Sequence, residues 1–447
     1  MEIFFYILVL SAYIPGLIGI FKFKFYGKFP LLLFCFFGMF VFHALGSILI
    51  FYKQFTSTGV PLFSYEYVAM LIVQAVIFYA IAWPYIFYRK DIEYTLAVEK
   101  KDYFIIPPII IIIGFILLMY RMNVGSFLLF DLLSRDINIH NASTFRSEKS
   151  FGLSSFGIYE LGFIVFPALL ASHVLLISLI NKRFSLFNIA VILLCFVPIV
   201  LLGQKSGILQ VVVILYITYI IYLGAGNKAP GKAFTIKSAL LLLAALIPTA
   251  IIYVLYYGRG AGYFHIAKEL AYRIFGSYSE TLAATVPMAR DYGWLGGNTL
   301  PVLAAPGNYM GLDVLMHYYI FGGEGAAPVP AVGEGYVNFG WPGFIAFTVI
   351  YFVTLIGLQE VLQRIKSGLF SYTIMAWFAY LSMYTTLIGL FSTLFSIQRY
   401  ILLILMIGLV GVVELFISIQ GKLAHPLGRE LEDIDAEVER ELKGNTK

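Results

Sequence analysis

The chain reads as an all-α polytopic integral membrane protein, and two observations lead there. Sixty per cent of its 447 residues are hydrophobic and only 12% are charged. Its mean hydropathy of +0.88 is more apolar than a soluble core of this length requires. Apolar runs of about 17 to 24 residues also recur along it, each able to cross about 30 Å of hydrocarbon at 1.5 Å per residue.

These runs fall at 3–21, 30–51, 68–88, 104–120, 158–180, 188–203, 207–224, 238–257, 341–360, 371–391 and 400–420, which makes about eleven transmembrane helices. The first opens on Met1-Glu2 without a basic n-region or a small-residue cleavage site, so it reads as a span rather than a cleavable signal. Cys35 and Cys195 both lie inside runs and read as small packing residues rather than a disulfide or zinc site. The formal charge of +5 is spread over many loops, which disfavours nucleic acid as a partner.

Orientation follows from the loop cations. One set of short loops holds fourteen Lys and Arg residues (Lys22, Lys24, Lys28, Arg89, Lys90, Lys100, Lys101, Lys182, Arg183, Lys228, Lys232, Lys237, Arg364 and Lys366), whereas the opposite short loops hold three, Lys53, Lys205 and Arg399. The positive-inside bias puts the first set in the cytoplasm, the N-terminus outside and the C-terminus inside. The organisation is then N-terminal spans over 1–120, an outer loop over 121–157, central spans over 158–257, a large outer loop over 258–340, C-terminal spans over 341–420 and a charged cytoplasmic tail over 421–447. Both outer loops exceed a helix connector in length, and between them Phe, Tyr, Trp and Leu are plentiful, as expected of folded caps over a membrane cavity. In the tail, Leu431, Ile434, Val438 and Leu442 form one stripe of a short helix. Asp433 and Asp435 two residues apart point away from each other on such a helix and make no metal pair.

The outer face carries the chemistry-bearing residues. Arg146, Lys149, Lys205, Arg259, Arg273 and Arg399 lie there, against the bias, which points to an anionic ligand. Gly203-Gln-Lys205-Ser206-Gly207 reads either as an ordinary turn or as a re-entry whose amides, ammonium and hydroxyl suit a phosphate oxygen. Arg273, four residues after Glu269, reads as a surface ion pair or as a bidentate pyrophosphate ligand. Glu334, between two glycines at the mouth of a span, is costly there unless solvated, paired or functional; it is a catalytic candidate or a cap. His317 could act as a general base at its ordinary pKa or serve as a structural histidine. His43 and His173, within spans, are expected to bond between helices.

Five features stand in an order that resembles the Wzy-type oligosaccharide repeat-unit polymerases, the O-antigen and enterobacterial-common-antigen polymerases. They are Asn123-Val-Gly125-Ser-Phe-Leu-Leu-Phe130 leading to Phe145-Arg146-Ser147; Gly203-Gln-Lys205-Ser206; Arg273-Ile-Phe-Gly276; Glu334-Gly-Tyr336-Val-Asn338-Phe339-Gly340; and Phe391-Ser-Thr-Leu-Phe-Ser396-Ile-Gln-Arg399. The likeness covers most of the chain, and the shared order carries it. Lys205 stands where the family commonly has Arg, so a bidentate phosphate contact is not expected at that turn.

The resemblance implies a GT-C-like glycosyltransferase of the bacterial inner membrane, acting on polyprenyl-diphosphate-linked oligosaccharides at the outer face. Membrane lipids and a chain-length regulator protein are its implied partners, and it uses no cofactor. Lys205, Arg273 and Arg399, with Arg146 and Arg259, would hold the diphosphate, and Glu334 or His317 would take the proton of the acceptor hydroxyl. No outer carboxylate and histidine cluster at ligand spacing offers a metal site, so a metal-independent reaction is expected. An O-antigen ligase would carry a His-Asn pair near Glu334, which is not seen. A flippase or transporter would show ionisable residues or broken helices at mid-membrane in matching places of two halves.

Overall fold

The computed structural model describes residues 2–22, 28–53, 55–89, 100–103, 105–122, 164–201, 205–225, 276–300, 303–304, 311–323, 325–364 and 369–390, with single positions 96, 98, 268, 272 and 404. Two compact units divide at residue 396; apart from residue 404, everything described lies in the first.

Among the described residues the architecture is helical, without a β-strand. The helices are α1 (Glu2–Lys22), α2 (Pro30–Gly38), a π-helical turn (Met39–Leu45), α3 (Ser47–Lys53), α4 (Tyr65–Tyr88), α5 (Ile106–Met122), α6 (Phe166–Ile180), α7 (Leu186–Leu201), α8 (Lys205–Ala225), α9 (Ser277–Tyr292), α10 (Leu312–Phe321), α11 (Ala331–Arg364) and α12 (Leu369–Thr385). Among the described residues five stretches are long and apolar enough to cross a membrane: Ile3–Ile20, Pro30–Ile50, Tyr65–Tyr88, Gly207–Ala225 and Ala331–Arg364. Exposed Ile345, Val349 and Val353 form an i, i+4, i+8 stripe on α11, and exposed Ile3, Ile7, Ile14 and Ile18, at i, i+4, i+11 and i+15, share one face of α1. Stripes of this kind are stable in lipid and a liability in water. The chain is therefore an all-α membrane protein. The expected run at 238–257, and that at 400–420 apart from residue 404, lie outside the described residues.

Hydrocarbon solvates Leu as well as a protein interior does, so burial alone does not hold such helices together; packing and interhelical hydrogen bonds do. α12 lies along α2, where Ser382 Oγ donates to the Leu31 carbonyl at 2.8 Å. The Leu31 amide in turn donates to Gln359 Oε1 of α11 at 3.2 Å. Phe36, Phe78 and Phe352 interlock α2, α4 and α11, with centroid separations of 5.5 and 5.3 Å. Gly16 makes room for Phe36, whose ring would lie 2.2 Å from an added Cβ. In α1 a hydroxyl enters the helix ladder: Tyr79 donates to the Ala12 carbonyl at 2.7 Å and accepts from the Gly16 amide at 3.2 Å, the bond that helix i and i−4 groups would otherwise make.

The ends of the bundle differ in charge. At one end Glu360 receives Arg89 Nε at 2.7 Å, Arg89 Nη2 at 3.2 Å, Tyr85 at 3.0 Å and Arg364 at 3.2 Å. There too Gln363 donates to the Lys28 carbonyl at 2.9 Å. Three of the loops assigned to one face by their cations therefore meet. Lys53, α9 and α10 occupy the other end. α9 is rich in Ser, Thr and Ala and packs on α3, α4 and α11.

Candidate functional site

Glu334 sits in a folded-back arm. Sequence reading expects loop up to residue 340, whereas α11 begins at Ala331 and is broken only at Gly340, whose φ of 65° and ψ of −150° are non-helical. Pro342 has no amide hydrogen and its ring crowds the carbonyl four residues back, Asn338. Glycine two residues earlier adopts the left-handed φ that resolves the clash. The freed carbonyls of Val337 and Asn338 accept from the amides of Leu295 at 3.2 Å and Gly296 at 3.1 Å. Asn338 completes the joint: its Oδ1 accepts from the Gly297 amide at 3.0 Å, and its Nδ2 donates to Thr299 Oγ1 at 2.6 Å and to the Glu334 carbonyl at 2.8 Å. The arms then lie so close that a Cβ on Gly335 would stand 2.5 Å from the Gly343 carbonyl oxygen, and one on Gly343 would stand 2.2 Å from that of Gly335.

From this arm the buried Glu334 carboxylate reaches the turn after α12, where Oε2 accepts from the Leu390 amide at 3.1 Å. A Cβ on Gly389 would be 2.8 Å from the same oxygen. His43, in the π-helical turn, grips the other side of that turn: Nε2 donates to the Thr386 carbonyl at 2.7 Å, while Nδ1 meets Gln74 Oε1 at 2.9 Å. Residues 386–390 are thus clamped between two buried ionisable side chains, immediately before the segment 391–399 that carries Arg399. π-Turns of this kind recur at functional sites. His173 likewise bonds between elements, through Nε2 to the Asp102 carbonyl at 2.9 Å.

His317 lies on α10. Its Nδ1 donates to the Gly323 carbonyl at 3.0 Å, which leaves Nε2 as the lone-pair nitrogen of the neutral ring. Nε2 faces Gly325, where a Cβ would be only 2.4 Å away. The ring packs against Phe321 in a tilted arrangement, with centroids 4.8 Å apart and planes at 44°. Among the described contacts none joins His317 to Glu334, so the two candidate bases stand in separate environments.

A third group was not singled out by the sequence. Lys53, at the end of α3, lies 2.6 Å from Glu280 Oε1 on α9 and donates to the Tyr272 hydroxyl at 3.0 Å. The Glu280 side chain is 1% exposed and that of Lys53 30%. Burial pushes the Glu280 carboxyl above its ordinary value, and the ammonium pulls it part of the way back. Glu280 Oε2 is buried, and among the described residues nothing donates to it. A carboxylate in the first turn of a helix reads in sequence as a dipole-compensating residue, which hides this one. Lys53 did carry a signal, as a lone cation on the lysine-poor side.

Of the five cations expected at the diphosphate, Arg146, Arg259, Arg273 and Arg399 lie outside the described residues, and Lys205 is the first residue of α8 with its side chain likewise outside them. Among the described residues no three His, Cys, Asp or Glu side chains converge as a ligand set. Comparison with family models, with curated proteins and with solved structures returned no match.

Proposed function

We propose that this chain is a membrane glycosyltransferase of GT-C type that polymerises polyprenyl-diphosphate-linked oligosaccharide repeat units. In this reading it has about eleven spans in the bacterial inner membrane, with its N-terminus outside and its C-terminal tail in the cytoplasm. The observation that carries the reading is the set of cations placed against the positive-inside bias, Arg146, Lys205, Arg259, Arg273 and Arg399, in motifs whose order resembles the polymerases. The meeting of the Lys28, Arg89 and Arg364 loops at one end of the bundle supports the sidedness on which it depends.

In the reaction, the acceptor hydroxyl oxygen bonds to the anomeric carbon of the growing glycan, whose bond to the diphosphate oxygen breaks. The hydroxyl proton passes to a base, Glu334 or His317, and the lipid diphosphate leaves with the electron pair. Negative charge grows on the diphosphate in the transition state, so fixed guanidinium groups in a dry chamber stabilise it more than they stabilise the ground state.

The test is incubation of the purified protein with lipid-linked repeat units. A glycan ladder supports polymerisation, and transfer to lipid A core would reassign the chain as a ligase. Arg273→Ala and Arg399→Ala should each lower ladder formation about 100-fold or more with membrane insertion intact; chain extension retained in both would remove the assignment. A flippase is the second reading, favoured by the interrupted helices at Met39–Leu45 and Gly340. It predicts protection of the lipid-linked unit from an outer glycosidase without new bonds.

A further inference from the structure

We infer that Lys53, Glu280 and Tyr272 form a subsite for a sugar of the oligosaccharide substrate, with Glu280 Oε2 and the open N–H of Lys53 holding its hydroxyls. The inference rests on the glycan-transfer reading and adds a place where the glycan is recognised. Glu280 is almost wholly buried, yet among the described residues Oε1 is engaged by Lys53 while Oε2 is left without a donor. A buried carboxylate oxygen in that state is costly and calls for a partner that arrives with the ligand. The ammonium of Lys53 has three donors; among the described residues Glu280 and Tyr272 take two, which leaves the third to a ligand on the partly exposed member of the pair.

Charge decides the class of ligand. The pair is close to neutral, so Glu280 repels a phosphate and Lys53 repels a metal ion or a second ammonium. A hydroxyl, which donates and accepts at once, matches both open positions. The surroundings also suit a sugar: Lys53 Nζ lies 4.9 Å from the Tyr272 ring centroid and 6.0 Å from that of Phe321, so apolar ring faces stand beside the polar pair, as in sites that grip a sugar by its C–H face and its hydroxyls. The position fits too. Tyr272 directly precedes Arg273, to which the diphosphate is assigned, and the first sugar of the substrate is bonded to that diphosphate. His317 approaches the same cluster through Phe321.

The experiment uses the full chain in nanodiscs and two probes: the lipid-linked unit accumulated by a strain deleted for this chain, and the oligosaccharide released from it by mild acid. Calorimetric titration should show wild-type binding of the lipid-linked unit reduced tenfold or more by Glu280→Gln and by Lys53→Met, with affinity for undecaprenyl diphosphate alone unchanged. The same losses with the released oligosaccharide would show that the sugar suffices; losses confined to the lipid-linked form would show that the carrier must seat it. Should either variant fail to fold, acetylation of Lys53 in the wild type, read by mass spectrometry, is slowed at least threefold by the lipid-linked unit. Unchanged affinity in a folded Glu280→Gln, absence of binding to both probes, or unprotected Lys53 would overturn the subsite. A wild type that makes no ladder while Glu280→Gln loses the oligosaccharide would instead remove glycan transfer and leave the subsite standing.

Discussion

The two ends of the bundle each carry a carboxylate facing a cation, and they are built to opposite standards. Glu360 is 20% exposed and its Arg89 partner 34%, and its two oxygens accept from four donors on three side chains. Glu280 is 1% exposed, and among the described residues it has one cationic partner and an oxygen left bare. Had stability alone shaped both ends, the deeper carboxylate would be the better satisfied, because desolvation costs most there. The difference teaches that the Arg89 end is a tie between α4 and α11, while the Lys53 end gives up stability for something that binds.

The sharpest way to break that contrast is to remove the cations in turn. Lys53→Met strands a buried carboxylate and should cost about 3–5 kcal/mol, read as a large drop in the midpoint of thermal unfolding in detergent. Arg89→Met, with Tyr85 and Arg364 still on Glu360, should cost about 1 kcal/mol or less. Equal losses would erase the distinction.

Glycines in the two halves of α11 extend the comparison. Gly343→Ala drives a methyl into the Gly335 carbonyl, backbone that cannot step aside, and should cost about 1–3 kcal/mol together with activity. Gly357, toward the Arg89 end, has nothing within 4 Å of an added Cβ. Its alanine variant should melt unchanged or gain about 0.5–1 kcal/mol, since helical glycine is poorly favoured.

The smallest effect expected is on pH dependence. Because the Glu280 pKa is raised in the folded state, the native form binds more protons, and stability falls as pH climbs from the ordinary value of 4.5 through the raised one. Melting midpoints across that window should decline in the wild type and decline less in Glu280→Gln. Identical slopes would show that Glu280 titrates as an ordinary carboxylate.

The spans were legible because hydrocarbon imposes length and composition together, and α1, α4 and α8 fall within a few residues of the runs read from sequence. The arm from Ala331 to Phe339 was not. Pro328, Pro330, Gly333 and Gly335 argue locally for a loop, yet the helix packs closely because Gly335 lets it press against Phe347 and the Gly343 backbone and Gly333 lets it meet Thr285 and Leu282. Glu334 was legible as an unusual carboxylate, but its bond to the Leu390 amide joins positions 56 residues apart, which no local pattern encodes. Glu280 was missed for the reverse reason: its local position offered a sufficient and bland explanation.

The central claim is that outward cations hold a lipid diphosphate, and its most direct test is the affinity of the purified chain for undecaprenyl diphosphate. The account predicts saturable binding that Arg273→Ala and Arg399→Ala each weaken tenfold or more, while Arg89→Met leaves it unchanged. Binding that is equal in all four proteins, or lost equally in Arg89→Met, would contradict it.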